Sequence, residues 1–368
     1  MDEDLEKEKE EDKFYVDIPK EKRYLNTSSY DYSINFLVEL MTKDIPKIIL
    51  EVPFQRNFIW KDDRASQLIE SVIMNVPIPP LYFAEEEGGG WLVIDGLQRL
   101  NSIKNYYQNE FGLKNLEIIK ELENLKYKDL PPKAKDLLND GLMRINVIKK
   151  DSHPDIKYDI FMRLNKGSVT LNYQELRNCL YRGALNEVIK KFVRENKDFQ
   201  KILNLKKEHD RYLDVEYVLR IISMSENLLK NENGEYFIRN YSGRMVNYLN
   251  HYMDEKKKIS EDDANILLSN FILTMKKVIA VFGVSHAFKD LTLEKPRFNR
   301  AIGEFICLSF KNYDINTLIE NKDKIIELFK NLLSTNSQFK QSISQRTSDV
   351  DVVNFRINTW IKELENAL

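Results

Sequence analysis

The stretch WLVIDGLQRLNSI, residues 91–103, joins a wholly apolar run to a helical repeat with a single Asp-Gly step between them. Four consecutive apolar residues, Trp91 to Ile94, predict a buried strand. Leu97, Leu100, Ile103 and Tyr107 recur at helical spacing, so a helix starts as soon as the strand ends. Gly96 supplies a backbone conformation and a close approach that a Cβ would hinder. The first amides of the following helix have no partners within it, and with the helix dipole they form an anion site. Arg99 stands about one turn in, where its fork suits a phosphate. Gln98 suits the orientation of a water or a base. Asp95 would repel a bare phosphate and suits a metal, a water or the helix cap. Spacing alone leaves a plainer alternative open: Asp95 caps, Gly96 turns, and Arg99 pairs with a surface acid.

Upstream, LYFA (81–84) reads as a strand and EEEGGG (85–90) as a polar turn. NVPIPP (75–80) stops a helix whose apolar face is Ala65, Leu68, Ile69, Val72, Ile73 and Val76, with Asp62 or Asp63 as its cap. Ile34, Leu37, Val38 and Met41 form a short helical stripe, and PKIILEVP (46–53) reads as a strand. Downstream, 117–130 is a polar excursion, and Met143, Ile145 and Val147 alternate as a late strand. Asn172 with Glu175 approximates a capping box. Beyond it, amphipathic helices are expected over about 184–203, 215–230, 263–282, 298–311, 315–334 and 349–366. KNENGEYF (230–237) is a helix end and turn with Gly234 as the breaker. The expected fold class is α+β: an α/β domain over 14–150, then a helical domain over 151–368, after an acidic disordered tail over 1–13.

Composition narrows the function. The 368 residues carry 56 Lys+Arg against 58 Asp+Glu, a net charge of -2, which excludes a uniformly basic nucleic-acid coat but not a local groove. Hydrophobic residues make up 42 %, enough for a core. Cys179 and Cys307 lie far apart in apolar contexts and read as buried thiols. His153, His209, His251 and His286 stand singly, with no HExxH or HxH, so a protein-built transition-metal site is not expected. No apolar run approaches the ~18 residues that span a bilayer, and the N-terminus is acidic where a signal peptide is basic, so the expected location is cytoplasmic and off the membrane.

Two further stretches join the first. VPFQRNFIW (52–60) sets Gln55 and Arg56 just after a strand among Phe54, Phe58 and Trp60. FMRLNKGSVTLNYQELRN (161–178) sets Arg163, Asn165 and Lys166 at a helix end before Gly167. Taken in order with NVPIPPLYF and IDGLQRL, they resemble the N-terminal domain of GmrSD-type modification-dependent restriction endonucleases over about residues 30–185. That resemblance implies a ParB/sulfiredoxin-like α/β fold with a helical extension, and nucleotide binding and hydrolysis at a DGQQR-type motif. Residue by residue, Asp95, Gly96, Gln98 and Arg99 match that motif, Gln55 and Arg56 an upstream Q-R, and Arg163 and Asn165 an R-L-N. Leu97 stands where many members have the first Gln, and continues the apolar stripe.

Many full-length relatives carry a C-terminal HNH nuclease. The region SQFKQSISQRTSDVDVVNFRINTWIKELENAL has no histidine, so cleavage is expected from a separate nuclease partner. The reading is therefore a nucleoside-triphosphate-binding and hydrolysing regulatory subunit, with Mg²⁺, in a restriction or anti-phage system. Asp95, Gln98 and Arg99 are the candidate catalytic residues; Gln55, Arg56, Gly96, Arg163, Asn165 and Lys166 complete the nucleotide site; a homodimer is implied by the resemblance. Two rivals stand beside it. One is a DNA-binding or modified-base-sensing module using the basic segment 190–211, which holds eight Lys/Arg and four acids. The other is a catalytically silent interaction subunit.

Overall fold

The computed structural model describes residues 25–50, 60–86, 88–164 and 172–368. These divide into two compact units, one ending at Leu171 and the other running from Asn172 to Leu368. The expected acidic tail, 1–13, lies outside the described residues.

The first unit is mixed α/β. Its elements are β1 (Thr27–Ser33), α1 (Ile34–Thr42), β2 (Ile48–Ile49), α2 (Asp62–Ile73), β3 (Leu81–Glu85), β4 (Trp91–Asp95), α3 (Leu97–Tyr107), α4 (Pro132–Asp140), β5 (Leu142–Ile148) and α5 (Pro154–Leu164). The strands form one mixed sheet in the order β1-β5-β3-β4-β2. β1 pairs with β5 and β3 with β4 antiparallel; β5–β3 and β4–β2 run parallel. The apolar run of β4 is buried as its composition demands, with Leu92, Val93 and Ile94 at 0–1 % exposure. Antiparallel pairing sets the exit of β4 beside the entrance of β3, and the register there shifts between Tyr82 and Phe83. That shift is a bulge, a device that re-aims a strand end.

One local reading is corrected. α2 is capped by Lys61, with no side-chain cap bond; Asp62 and Asp63 instead lie in its first turn, where carboxylates favour the helix dipole. Asp62 also holds Lys114 at 2.6 Å. The polar excursion over 117–130 is organised by a buried carboxylate. Glu70, 6 % exposed, accepts the amides of Glu117 (3.2 Å), Ile118 (2.8 Å) and Ile119 (3.0 Å).

The second unit is helical apart from one short hairpin. It comprises α6 (Tyr173–Leu180), α7 (Ala184–Glu195), α8 (Lys197–Ile202), α9 (Leu213–Asn227), the strands β6 (Leu228–Lys230) and β7 (Tyr236–Ile238), α10 (Met245–Lys256), α11 (Glu261–Phe282), α12 (Arg300–Phe310), α13 (Ile315–Glu320), α14 (Lys322–Thr335), α15 (Ser337–Ser342) and α16 (Val350–Ala367). The capping box is complete: Asn172 Oδ1 accepts from Glu175 N at 2.8 Å, and Glu175 Oε2 accepts from Asn172 N at 2.6 Å. Two helices expected as single pieces are broken at asparagines. Asn196 starts α8 by accepting from Phe199 N, and Asn321 divides α13 from α14. Competition of the Asn side chain with the helix backbone explains such breaks. The expected turn near Gly234 closes the β6–β7 hairpin, with Gly234 at φ +82°.

Every residue of α12 is buried. Its Phe305 packs against Phe329, Phe339 and Trp360, and Trp360 Nε1 donates to Ser309 Oγ at 2.8 Å. Within this core Glu304 lies between two guanidiniums, Arg220 and Arg356, all three at most 2 % exposed. Arg356 also donates to the carbonyls of Ser342 and Thr347. One helix departs from the expectation that no run approaches membrane-spanning size. α11 is long and apolar enough to cross a bilayer, with a mean hydropathy of 1.5 over its richest window. Scattered residues such as Ser269, Asn270 and Lys276 interrupt the run without lowering that average much. Its Ala264, Leu268, Phe271, Met275, Val278, Val281 and Phe282 face the core of this unit while Ile266 and Leu273 stay exposed, the one-sided pattern of an amphipathic helix.

Candidate functional site at the β4–α3 junction

The junction follows from three local causes. β4 ends at Asp95 because Gly96 takes a left-handed conformation, φ 100° and ψ 11°, that ordinary residues avoid. Gly96, not Asp95, is the N-cap residue of α3, and no side chain caps that helix. A Cβ on Gly96 would overlap Leu81 Cδ2 and come within 3.1 Å of Arg99 Nη2. The glycine is thus required both for the turn and for the arginine that crosses it.

Arg99 folds back over this turn. Its Nη2 donates to Asp95 Oδ2 at 2.6 Å and to the carbonyl of Pro80 at 3.2 Å, and its Nη1 donates to the carbonyl of Pro79. Those carbonyls are in reach because β3, which starts at Leu81, runs antiparallel to β4. The Arg99 side chain is 11 % exposed and that of Asp95 40 %. Burial pulls the Arg99 pKa below its ordinary value, and the Asp95 carboxylate opposes that pull. The plainer alternative is therefore partly realised: Arg99 does pair with an acid, and that acid is Asp95 itself. Leu97 is 6 % exposed and packs, as its place in the stripe indicates.

Gln98 turns the other way, and its Oε1 accepts from the amide of Trp60 at 3.2 Å. The Arg64 guanidinium lies 4.4 Å from the centre of the Trp60 ring, a cation–π contact. Among the described residues Arg64 has no ion-pair partner. Sequence reasoning passed over Arg64; its signal is the i, i+4 spacing from Trp60 at the start of α2. The amides of Leu97, Gln98 and Arg99, the first turn of α3, point out of the helix end.

The structure thus brings Asp95, Gly96, Gln98 and Arg99 together with Trp60, Arg64, Pro79 and Pro80. Arg163 sits on α5 with its guanidinium 2.8 Å from Asp159 of the same helix. Gln55, Arg56, Asn165 and Lys166 lie outside the described residues. Among the described residues no three His, Cys, Asp or Glu stand together as a metal cage. In the basic segment 190–211, Lys190, Lys201, Lys207 and Arg211 are paired with Glu187, Asp198, Asp210 and Glu175. Asp198 and Asp210 belong to the segment itself, so Glu187 and Glu175 meet only part of its excess charge, and the i, i+3 pairs are those of a solvated helical face.

Comparison with known proteins adds a family. Residues 37–182 match the family described as GmrSD restriction endonuclease, N-terminal domain. No curated protein matches the chain. The solved C2221 form of a Pnob8-like ParB-N domain is 13 % identical and covers 93 % of this chain and 98 % of its own, at a TM-score of 0.22, a likeness too loose to carry an argument. Over residues 37–182, then, this chain carries a domain similar to the N-terminal domain of GmrSD restriction endonucleases.

Proposed function

We propose that the β4–α3 junction binds the phosphates of a nucleoside triphosphate, and that this chain is a cytoplasmic, nucleotide-dependent regulatory subunit of a restriction or anti-phage system. The observation that carries the reading is Arg99 laid across left-handed Gly96 onto Asp95, at the amide end of α3. A cation, three outward amides and a half-open carboxylate converge where a phosphate and its counter-ion need them. Similarity to the GmrSD N-terminal domain points the same way.

In this reading the amides of Leu97, Gln98 and Arg99 donate to the phosphate oxygens. Arg64 and Arg99 neutralise charge, with Arg56 as a third cation carried over from the family resemblance. Gln98 positions water. Mg²⁺ commonly takes one or two carboxylates and fills its shell with phosphate oxygens and waters, so a single exposed Asp95 fits it without a protein cage. When bound it would offset phosphate charge. Asp95 would hold it, and Arg99 would then be shared between Asp95 and the nucleotide. DNA cleavage would come from a separate nuclease partner, and a homodimer is the assembly the family suggests.

The test is a nucleotide panel with Mg²⁺, scored for both binding and phosphate release, on the wild type, Arg99→Ala and Arg64→Ala. Arg99→Ala should lose about tenfold or more in affinity, the scale of a lost charge-assisted bond. Unchanged affinity and turnover in a folded Arg99→Ala protein would remove the assignment. Salt-dependent DNA binding with no phosphate release would instead favour the DNA-sensing reading.

A further inference from the structure

The helical unit holds a second constellation of cations, separate from the junction. A cavity of about 460 Å³ opens between the end of α9, the middle of α11 and the end of α12. That volume lies within the range of small-molecule sites. Its apolar wall includes Ile221, Ile222, Phe271 and Cys307, with Leu273 at the mouth, 54 % exposed. Two lysines, Lys277 of α11 and Lys311 just after α12, also line it.

Both ammonium groups are partly buried, and neither has a carboxylate within 4 Å among the described residues. Lys277 Nζ donates to the carbonyls of Phe310 at 3.2 Å and Lys311 at 3.1 Å. Lys311 Nζ donates to the carbonyl of Ser225 at 2.6 Å. These contacts use two of three N–H groups on Lys277 and one on Lys311. Carbonyl dipoles satisfy donors but do not cancel a full charge. The acid that shares the cavity, Glu226, is committed elsewhere: its carboxylate accepts from Tyr252 Oη at 2.5 Å and from Lys256 Nζ at 3.0 Å. Burial pulls both lysines below the ordinary lysine value, and the Asp314 charge opposes this only at Lys277. Removing water from two cations without supplying an anion is costly, and lysines are seldom buried unpaired.

From this geometry we infer that the cavity is a binding site for a small organic anion: an apolar body against Ile221, Ile222 and Phe271, and a single carboxylate or phosphate head between Lys277 and Lys311. Neither the junction nor the family similarity assigns it.

The test uses the full chain with decanoate and decyl phosphate as probes, decanol as the uncharged control, and titration calorimetry at constant ionic strength. At least one anionic probe should bind saturably, at least tenfold more tightly than decanol, and the tighter of the two identifies the head group. Lys277→Gln and Lys311→Gln should each weaken it about tenfold. Lys276→Gln, exposed on the same helix and outside the cavity, should leave it unchanged. Should a lysine variant lose its circular dichroism signature, Leu273→Glu decides instead, because an exposed side chain is replaced and the added negative charge at the mouth should weaken binding by a similar factor. Equal binding of decanol, no saturable binding of either anion, or binding indifferent to all folded variants overturns the site.

Discussion

Arg99 and Asp95, four residues apart, are joined at 2.6 Å across Gly96, whose missing side chain leaves the guanidinium its path. Strand, turn and helix are thereby tied by one charge pair. Replacing Gly96 with Ala strains a φ of +100° and drives a methyl group into Leu81. The expected cost is about 1–3 kcal/mol, the range for a non-glycine residue forced into such a conformation. Urea denaturation of Gly96→Ala checks it, and nucleotide affinity should fall in the same variant because the Arg99 fork is displaced.

Asp95 competes with any phosphate for Arg99. Asp95→Asn should therefore tighten nucleotide binding measured without Mg²⁺, by roughly three- to tenfold, the order of a modest change in local charge. With Mg²⁺ present, phosphate release should fall. Binding in the presence of EDTA and release in its absence separate the two effects. A variant that weakens both would show that Asp95 contacts the ligand through hydrogen bonds rather than through its charge.

Glu70 predicts an acid-linked loss of stability. Burial by itself would raise its pKa, but the amides of Ile118, Ile119 and Glu117 hold the value below the ordinary 4.5. On acidification the unfolded chain therefore takes up this proton first. The contribution is present in full above about pH 4.5 and disappears as pH falls through the lower, folded value. Glu70→Gln should cost about 1–3 kcal/mol at neutral pH, through donors left unmatched. Its deficit against wild type should shrink below pH 4.5, as read by denaturant midpoints across an acid series.

The helical core makes a sharper prediction. Glu304 is the shared partner of Arg220 and Arg356, and all three are buried. Glu304→Gln leaves two guanidiniums without their anion and should cost about 3–5 kcal/mol, typical for breaking a buried ion pair. Replacing the whole triad with apolar residues of similar volume should recover much of that loss, which thermal unfolding of the triple variant would show.

Much of the first unit is legible in the sequence because its signals are local. The apolar run of β4, the glycine after it, the proline-terminated α2 and the alternation of β5 all appear where residue patterns place them. β1 is missed because TSSYDYS alternates weakly, with exposed Thr27, Ser29 and Asp31 on its open side. α4 and α15 are missed because they are short and polar residues dilute their stripes, whereas α10 carries a legible stripe in Met245, Tyr248, Leu249, Tyr252 and Met253 that the reading passed over. At the site, the residue types of Asp95, Gly96 and Arg99 are visible in advance, but the direction of Arg99 is not. Its carbonyl partners, Pro79 and Pro80, come from the start of a neighbouring strand, and that adjacency exists only once β3 and β4 have paired.

The crossing of Gly96 by Arg99 also bears on descent. Because the turn and the charge pair depend on one another, neither half keeps its use when the other is lost. In any collection of related chains, glycine at this place and arginine three positions later should be inherited or abandoned as a couple.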